Sequence, residues 1–173
     1  GLDLKSGAGY TMLPFIAMAV CSPVGGIICD AVTRRYGKRW GRCGIAVVGI
    51  GLAAAFIVVG AEAASPEVAS FVLAGGVGAL YLSQSSFWSV SADVAGPWAG
   101  TVSGAMNTGG QIGGALTASL TPAIANHFGW SASFLTAAAL CAVGSVAWLM
   151  VDPNRKIMPP RGFAPTAKGR ARA

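Results

Sequence analysis

The chain has 173 residues, of which 54% are hydrophobic and only 10% are charged, and its formal net charge is +6. A soluble domain usually carries about a quarter of its residues as charged side chains, so this composition excludes an ordinary soluble protein. We predict an all-α integral membrane protein, because helices of about 20 apolar residues satisfy their own backbone hydrogen bonds in lipid.

Five stretches that are uncharged except at their end residues are long enough to cross a bilayer as helices. They are predicted over 9–30, 43–62, 67–90, 97–125 and 130–151. The last two are separated at Asn126–Gly129, because polar residues followed by glycine favour the end of a helix. The connecting segments are an outer loop (1–8), a basic loop (31–42), an outer loop (63–66), a short loop (91–96), an outer turn (126–129) and a basic tail (152–173).

The distribution of Lys and Arg predicts the orientation. The loop 31–42 holds five basic residues and the tail 152–173 holds six, whereas the loop 63–66 holds none. Positively charged flanks remain in the cytoplasm, so both basic segments and the loop 91–96 are predicted to be cytoplasmic. An outer N-terminus and an odd number of helices predict that the chain is the C-terminal part of a longer protein, whose N-terminal half is missing.

The basic loop has a regular arrangement of glycine, aspartate and basic residues. Asp30 lies at the inner end of the first helix, where it can pair with Arg34 or accept hydrogen bonds from a neighbouring helix N-terminus. Such a contact would hold one conformation of the protein. We therefore predict a conformational latch formed by Gly26, Asp30, Arg34, Arg35, Gly37, Lys38 and Arg39. The alternatives are a loop that only sets the topology, or one that binds anionic lipid headgroups.

The spacing Gly26-x-x-x-Asp30-x-x-x-Arg34-Arg35-x-Gly37-Lys38-Arg39 resembles the loop motif of the major facilitator superfamily, in the copy between its eighth and ninth helices. The stretch from Phe87 to Gly110 is similar to the tenth and eleventh helices of the anion:cation symporter branch, and Gly129-Trp130-x-x-x-Phe134 also resembles that branch. The resemblance implies five transmembrane helices, numbers eight to twelve, of the superfamily's C-terminal six-helix bundle. It also implies transport of small organic anions, such as sugar acids and aromatic or dicarboxylic acids, usually with protons.

Polar and aromatic side chains recur on one face of the third and fourth predicted helices. Tyr81, Ser85 and Trp88 have the spacing i, i+4 and i+7, and Asn107 and Gln111 have the spacing i, i+4. Polar groups in hydrocarbon are costly unless they are paired, so we predict that this face lines a cavity. The predicted substrate-binding residues are Tyr81, Gln84, Ser85, Trp88, Asn107 and Gln111.

Three of these six residues, Ser85, Trp88 and Asn107, are implied by the family resemblance, and the other three follow from helical spacing alone. The alternative interpretation is that the serine and amide side chains form hydrogen bonds between helices. In that case Trp88 anchors the protein at the membrane interface.

No acidic or basic residue lies near the middle of a predicted span. Asp30 and Asp93 are at inner ends, and Glu62 and Glu67 are at outer ends. A proton relay and a cation that binds a substrate carboxylate need ionisable groups at depth, so we expect both in the missing N-terminal half. The sequence predicts no metal site and no cofactor. The net charge is explained by topology, so no nucleic-acid partner is predicted.

Three other functions remain as alternatives, namely an efflux-type major facilitator for other small solutes, a transporter-like membrane sensor, and a membrane CDP-alcohol phosphotransferase. The last needs glycine after its first aspartate and two more aspartates nearby, whereas Ala31 follows Asp30 and the next aspartate is Asp93. We therefore predict no enzyme. The main prediction is part of a secondary active transporter in the bacterial inner membrane, with a cytoplasmic C-terminus. Its predicted partners are a small organic anion, protons, the lipid bilayer and its own N-terminal half.

Overall fold

The computed structural model describes the backbone of residues 4–157 and the side chains of residues 9–157. The predicted tail beyond residue 157 and the first three residues lie outside the described residues. The described part is helical and contains no strand, which confirms the predicted all-α fold class. Its helices are α1 (Leu4–Tyr36), α2 (Ile45–Ala61), α3 (Pro66–Ala95), α4 (Ala99–Phe128) and α5 (Trp130–Trp148).

Within residues 4–157, four continuous helical stretches are long and apolar enough to cross a membrane: Gly9–Tyr36, Arg39–Ala61, Pro66–Phe128 and Trp130–Trp148. The third stretch has 63 residues and contains both α3 and α4. The chain reverses between them, since the hydroxyl oxygens of Ser91 and Ser103 lie only 2.8 Å apart. Twelve residues of straight helix would separate them by about 18 Å. Helices α3 and α4 are therefore two separate helices of 30 residues each.

The segment predicted as a basic loop, 31–42, is mainly helical. Helix α1 continues to Tyr36 and ends at Gly37, which has a φ of 86°. A π-helical segment, Arg39–Gly44, then leads directly into α2. The helix extends beyond the apolar run because Arg is a good helix former and no glycine or proline lies between Asp30 and Gly37. The basic side chains are thus held on regular backbone.

The two turns on the opposite side are short. Ser65 precedes α3, and its side chain accepts a hydrogen bond from the Val68 backbone N–H at 3.3 Å, with Pro66 as the first helical residue. Both features are typical of a helix N-terminus. Where the sequence predicts an outer turn over 126–129, α4 continues to Phe128 and only Gly129, with a φ of 87°, separates it from α5.

Helix α3 lies at the centre of the bundle. It contacts α1 and α2, while α2 also contacts α5, and α4 contacts α3 and α5. Gly25 of α1 lies directly against the backbone of Leu82, so any side chain at position 25 would overlap α3. A Cβ placed at Gly49 of α2 would lie 2.6 Å from the Cβ of Ser83. Small residues thus allow both helices to approach α3 closely, as is common in membrane helix packing.

Helix α4 is the least covered helix of the described bundle. Ala125 is its one buried residue. A Cβ placed at any of six glycines would meet no atom within 4 Å. These glycines are Gly100, Gly104, Gly109, Gly110, Gly113 and Gly114. Most of α4 is therefore free of contacts with the described residues.

Candidate functional site

Four charged side chains form an ion-pair cluster at the basic end of the bundle. Asp93, near the end of α3, accepts a hydrogen bond from the Lys38 ammonium at 2.7 Å and another from Arg42 Nε at 3.4 Å. Arg42 Nη1 also donates to Asp30 of α1 at 3.0 Å. This ion-pair cluster (Asp30, Lys38, Arg42 and Asp93) joins the end of α1, the π-helical segment and the end of α3.

Arg42 is the side chain that connects the two carboxylates. Its side chain is 15% exposed and that of Asp93 is 20% exposed, whereas Asp30 is more than half exposed. The Arg42–Asp93 pair is therefore partly shielded from water, and Asp30 closes the cluster on its solvent side. Removing one partner of a shielded pair destabilises the folded protein more than removing one partner of an exposed pair, because the remaining charge is left partly desolvated.

Local backbone geometry brings Arg42 to this position. Gly41 packs so closely on Thr33 of α1 that a Cβ at Gly41 would overlap Thr33. The buried Cys29 thiol donates to the Gly41 carbonyl at 3.0 Å and lies 3.1 Å from Arg42 Nη1. Cys29 also lies 3.5 Å from the hydroxyl of Ser86 on α3. Gly41 and Cys29 therefore fix the π-helical segment against α1 and α3 at the level of the ion pairs.

The predicted latch residues occupy different environments. Asp30 and Lys38 belong to the ion-pair cluster, but the partner of Asp30 is Arg42 and not Arg34. Arg34 is exposed and makes no ion pair with the described residues. The guanidinium of Arg35 lies 5.5 Å from the ring centre of Tyr36. The predicted latch is thus divided into paired and unpaired basic residues.

The remaining predicted latch residues are Arg39 and two glycines. Arg39 is exposed, like Arg34 and Arg35, and has no ion pair among residues 4–157. Gly37 ends α1 through its positive φ. Gly26 faces α3, where a Cβ at Gly26 would lie 4.0 Å from the Cβ of Ser85.

Sequence reasoning missed three members of this region, Arg42, Asp93 and Cys29. Asp93 was recognisable as the carboxylate at the inner end of another helix, on the same side as the basic loop. Arg42 belongs to the predicted basic loop 31–42, but it lies outside the motif from Gly26 to Arg39 that contains Asp30. Its pairing depends on the turn made by the π-helical segment, which nothing in the local sequence predicts.

Five of the six predicted substrate-binding residues lie on surfaces that the described helices leave at least partly open. Tyr81 and Gln84 are half-buried, Trp88 is 42% exposed, and Asn107 and Gln111 are exposed. Their side chains form no hydrogen bond with any described residue. Tyr81, Gln84 and Trp88 follow one face of α3 at the spacing i, i+3 and i+7. We call these three residues, together with Asn107 and Gln111 on α4, the polar face, a set defined by its lack of hydrogen bonds with the described residues and not by a shared cavity.

Ser85 differs from the polar face. Its Cβ points toward Gly26 of α1, and its hydroxyl oxygen is buried without a hydrogen-bond partner among residues 4–157. A buried hydroxyl without a partner is destabilising. Ser85 therefore lies at the contact between α1 and α3, at the edge of the surface that carries Trp88.

The comparison with protein families identifies the family to which this chain belongs. The family model described as Major Facilitator Superfamily matches residues 1–172. The chain belongs to the major facilitator superfamily. This match confirms the resemblance noted in the basic motif and in α3 and α4. It also confirms that the chain is not an enzyme, since the members of this superfamily are membrane transporters. The protein is accordingly an integral membrane protein.

Several relatives of this superfamily chain are named as anion transporters. The "Probable sulfoacetate transporter SauU" of Cupriavidus necator is 32% identical over 155 residues, which cover 88% of this chain and 36% of that protein. The "Sodium-dependent phosphate transport protein 1, chloroplastic" of Arabidopsis thaliana is 29% identical over 90% of this chain and 31% of its own length. The "Ascorbate transporter, chloroplastic" of the same plant is 28% identical over 85% of this chain and 27% of its own length. The chain spans about a third of the length of these relatives.

Proposed function

We propose that the chain supplies five helices, numbers eight to twelve, to a secondary active transporter that moves small organic anions with protons by alternating access. The observation that carries this proposal is the polar face, because it presents amide, phenol and indole groups that have no partner within the described bundle. Unpaired polar groups at membrane depth are typical of a substrate pathway. The names of the relatives support an anion as the substrate.

The chemistry of the polar face suits a multiply oxygenated organic anion. The amides of Asn107 and Gln111 can donate to carboxylate or hydroxyl oxygens and can accept from hydroxyl groups. The rings of Tyr81 and Trp88 can lie against the carbon skeleton. No charged residue lies on the polar face, so we place the cation that neutralises the substrate, and the proton-carrying groups, in the N-terminal half of the full transporter.

The ion-pair cluster is proposed to stabilise one of the conformations in the transport cycle. It connects the π-helical segment and the adjacent Lys38 to α1 and α3, so a displacement of that segment relative to α1 and α3 must separate at least one of its ion pairs. Partly shielded pairs favour the closed arrangement in which they form, and a bound ligand can then shift the population toward the other arrangement. We propose that this end faces the cytoplasm, on the basis of the positive-inside rule, and that the membrane is a bacterial inner membrane.

Uptake by the full-length protein in liposomes tests the proposal. The panel contains sulfoacetate, a sugar acid, an aromatic acid and phosphate, each measured with a proton gradient or a sodium gradient. We expect one organic anion to accumulate with the proton gradient, and we expect Trp88→Ala and Asn107→Ala to reduce its kcat/KM by at least tenfold. Each variant removes contacts of about 1–2 kcal/mol or more with a bound substrate.

The matched control for the tryptophan is Trp130→Ala, since Trp130 is exposed at the first turn of α5 and lies off the polar face. This control should transport normally. Equal losses in Trp88→Ala and Trp130→Ala would contradict the proposed site. Accumulation driven by sodium alone would contradict proton coupling. No movement of any anion under either gradient would contradict anion transport.

A further inference from the structure

An apolar groove runs along the outside of the bundle between α1 and α2, with α3 as its floor. Its volume is about 490 Å³, within the usual range of small-molecule sites. The groove begins beside Tyr36 and Trp40 at the basic end and extends to Leu52 in the middle of α2. Helices α1 and α2 each contact α3 closely but barely contact one another. The space between these two helices, above α3, therefore remains open.

Glycines bring the two walls of this groove close to its floor. Gly25 and Gly49 allow α1 and α2 to rest directly on the backbone of α3, and neither fills the groove with a side chain. The walls are apolar and accessible: Val48 is 60% exposed and Ile28 is 43% exposed. A second cavity of about 520 Å³ shares Leu52, Ala79 and Leu82 with the groove and continues along α3. The space is therefore elongated, which suits a long apolar chain better than a compact molecule.

Unpaired positive charges stand at the basic end of the groove. Lys38 and Arg42 are paired with carboxylates in the ion-pair cluster. By contrast, Arg35 and Arg39 are exposed and have no ion pair with described residues. The Arg35 guanidinium lies 5.5 Å from the ring of Tyr36, which itself lines the groove.

Arg39 is placed near the entrance by its position in the chain. It precedes Trp40, another residue of the groove wall. Its carbonyl oxygen lies 4.0 Å from the position of a Cβ at Gly44, which also lines the groove. The groove thus begins beside two arginine residues that have no ion pair with described residues, and the rings of Tyr36 and Trp40 lie at this end. Aromatic side chains in this position are typical of the headgroup level of a bilayer.

We propose that this groove binds one anionic phospholipid from the leaflet on the basic side, with an acyl chain along α3 and the phosphate beside Arg35 and Arg39. The groove supplies an elongated apolar surface, and the arginines supply charge complementary to a phosphodiester. The acyl chain of a zwitterionic lipid fits the groove equally well, but its headgroup has no net charge and is attracted less strongly to the two arginines. The site is therefore selective for anionic headgroups, and this selectivity does not depend on which anion the protein transports.

Native mass spectrometry of the full-length protein tests the site. The protein is stripped of lipid in detergent and titrated with phosphatidylglycerol or with phosphatidylcholine of the same acyl chains. We expect phosphatidylglycerol to bind more tightly. Arg35→Gln and Arg39→Gln should each weaken its binding about fivefold and leave phosphatidylcholine unchanged. Arg155→Gln is the matched control, because Arg155 is exposed, makes no ion pair with the described residues and lies beyond α5, outside the lining of the groove.

A second pair of variants tests the apolar part. Val48→Trp fills the groove and should weaken both lipids at least tenfold, whereas Val146→Trp should change neither, since Val146 is 62% exposed on α5 outside the groove. Equal binding of the two lipids, equal effects of Arg35→Gln and Arg155→Gln, or equal effects of Val48→Trp and Val146→Trp would each overturn the proposal. Displacement of phosphatidylglycerol by an equal concentration of inorganic phosphate would also overturn the proposal. The basic residues would then bind anions without any contribution from the apolar groove.

Discussion

Glycine is tightly packed in one region of the molecule and open in another. The first region is the contact of α1 with α3, and the second is the surface of α4. Gly25 lies against the backbone of Leu82, with no room for a methyl group. Gly104 and Gly110 of α4 have nothing within 4 Å of the place where a Cβ would be. Glycine is required for packing in the first region and is not required for any contact among residues 4–157 in the second.

This difference shows what a glycine-rich helix can contribute to a transporter. A glycine that is enclosed on all sides fixes the distance between two helices, whereas an open glycine mainly lowers the helix propensity of its own segment. The α1–α3 contact is therefore expected to move as one body. On the open surface of α4, bending of the helix or contact with another part of the full transporter requires the least free energy.

The largest effect that we predict is at Gly25. Gly25→Ala places a methyl group into the Leu82 backbone and should lower the free energy of unfolding by about 3 kcal/mol, at the upper end of the range for overpacked sites. The thermal unfolding midpoint of the full-length protein in detergent measures this change. Gly110→Ala is the control, and it should leave the midpoint unchanged or raise it slightly, because alanine favours helix over glycine. A midpoint preserved in Gly25→Ala would contradict the close contact.

The second prediction concerns the ion-pair cluster. Asp93→Asn removes the charge that pairs with both Lys38 and Arg42, and should lower the free energy of unfolding by about 1–3 kcal/mol, between the values for exposed and buried pairs. It should also expose Cys29, which is fully buried beneath Arg42. The measurement is the rate at which a membrane-permeant maleimide modifies Cys29, followed by peptide mass spectrometry, and we expect at least a fivefold increase.

Two internal comparisons sharpen this test. Arg34→Gln removes a charge near the cluster that has no ion pair with the described residues, so Cys29 in this variant should react as slowly as in the unaltered protein. Cys141 of α5 lies outside the cluster, and its reactivity should be the same in all variants. If Asp93→Asn leaves Cys29 protected, or if Arg34→Gln exposes it equally, the cluster does not hold these elements together.

The helices could be predicted from the sequence because the relevant signals are local. A long apolar run predicts a membrane helix, and Gly129 marks a predicted helix end that the structure also shows, with a positive φ. The end of α1 at Gly37 was not predicted, because the first helix was expected to stop with its apolar run at residue 30. The pairing of Asp30 with Arg42 could not be predicted, because it depends on the π-helical segment between them. Arg42 and Asp93 are 51 residues apart, and only the packing of α1 and α2 on α3 brings them together.

The candidate binding residues show the same limit. Helical spacing places Tyr81, Ser85 and Trp88 along one stripe of α3, but it does not indicate where the neighbouring helix begins. The structure places α1 against Ser85 and leaves Trp88 partly open. The position of α1 follows from the glycines at 25 and 26, so the relevant signal was in another helix.

The smallest effect, at Ser85, separates packing from substrate binding. Because its buried hydroxyl has no partner among the described residues, Ser85→Ala should raise the free energy of unfolding by up to about 1 kcal/mol. The KM for the transported anion should stay within twofold of the unaltered protein, whereas Trp88→Ala should lose transport. Unfolding midpoints and uptake kinetics of the two variants, measured side by side, make the comparison. A large rise in KM for Ser85→Ala, without a change in stability, would mean that α1 moves away from Ser85 during transport and exposes its hydroxyl to the substrate. The α1–α3 contact would then be a moving part of the transporter, and not the rigid body that its glycines predict.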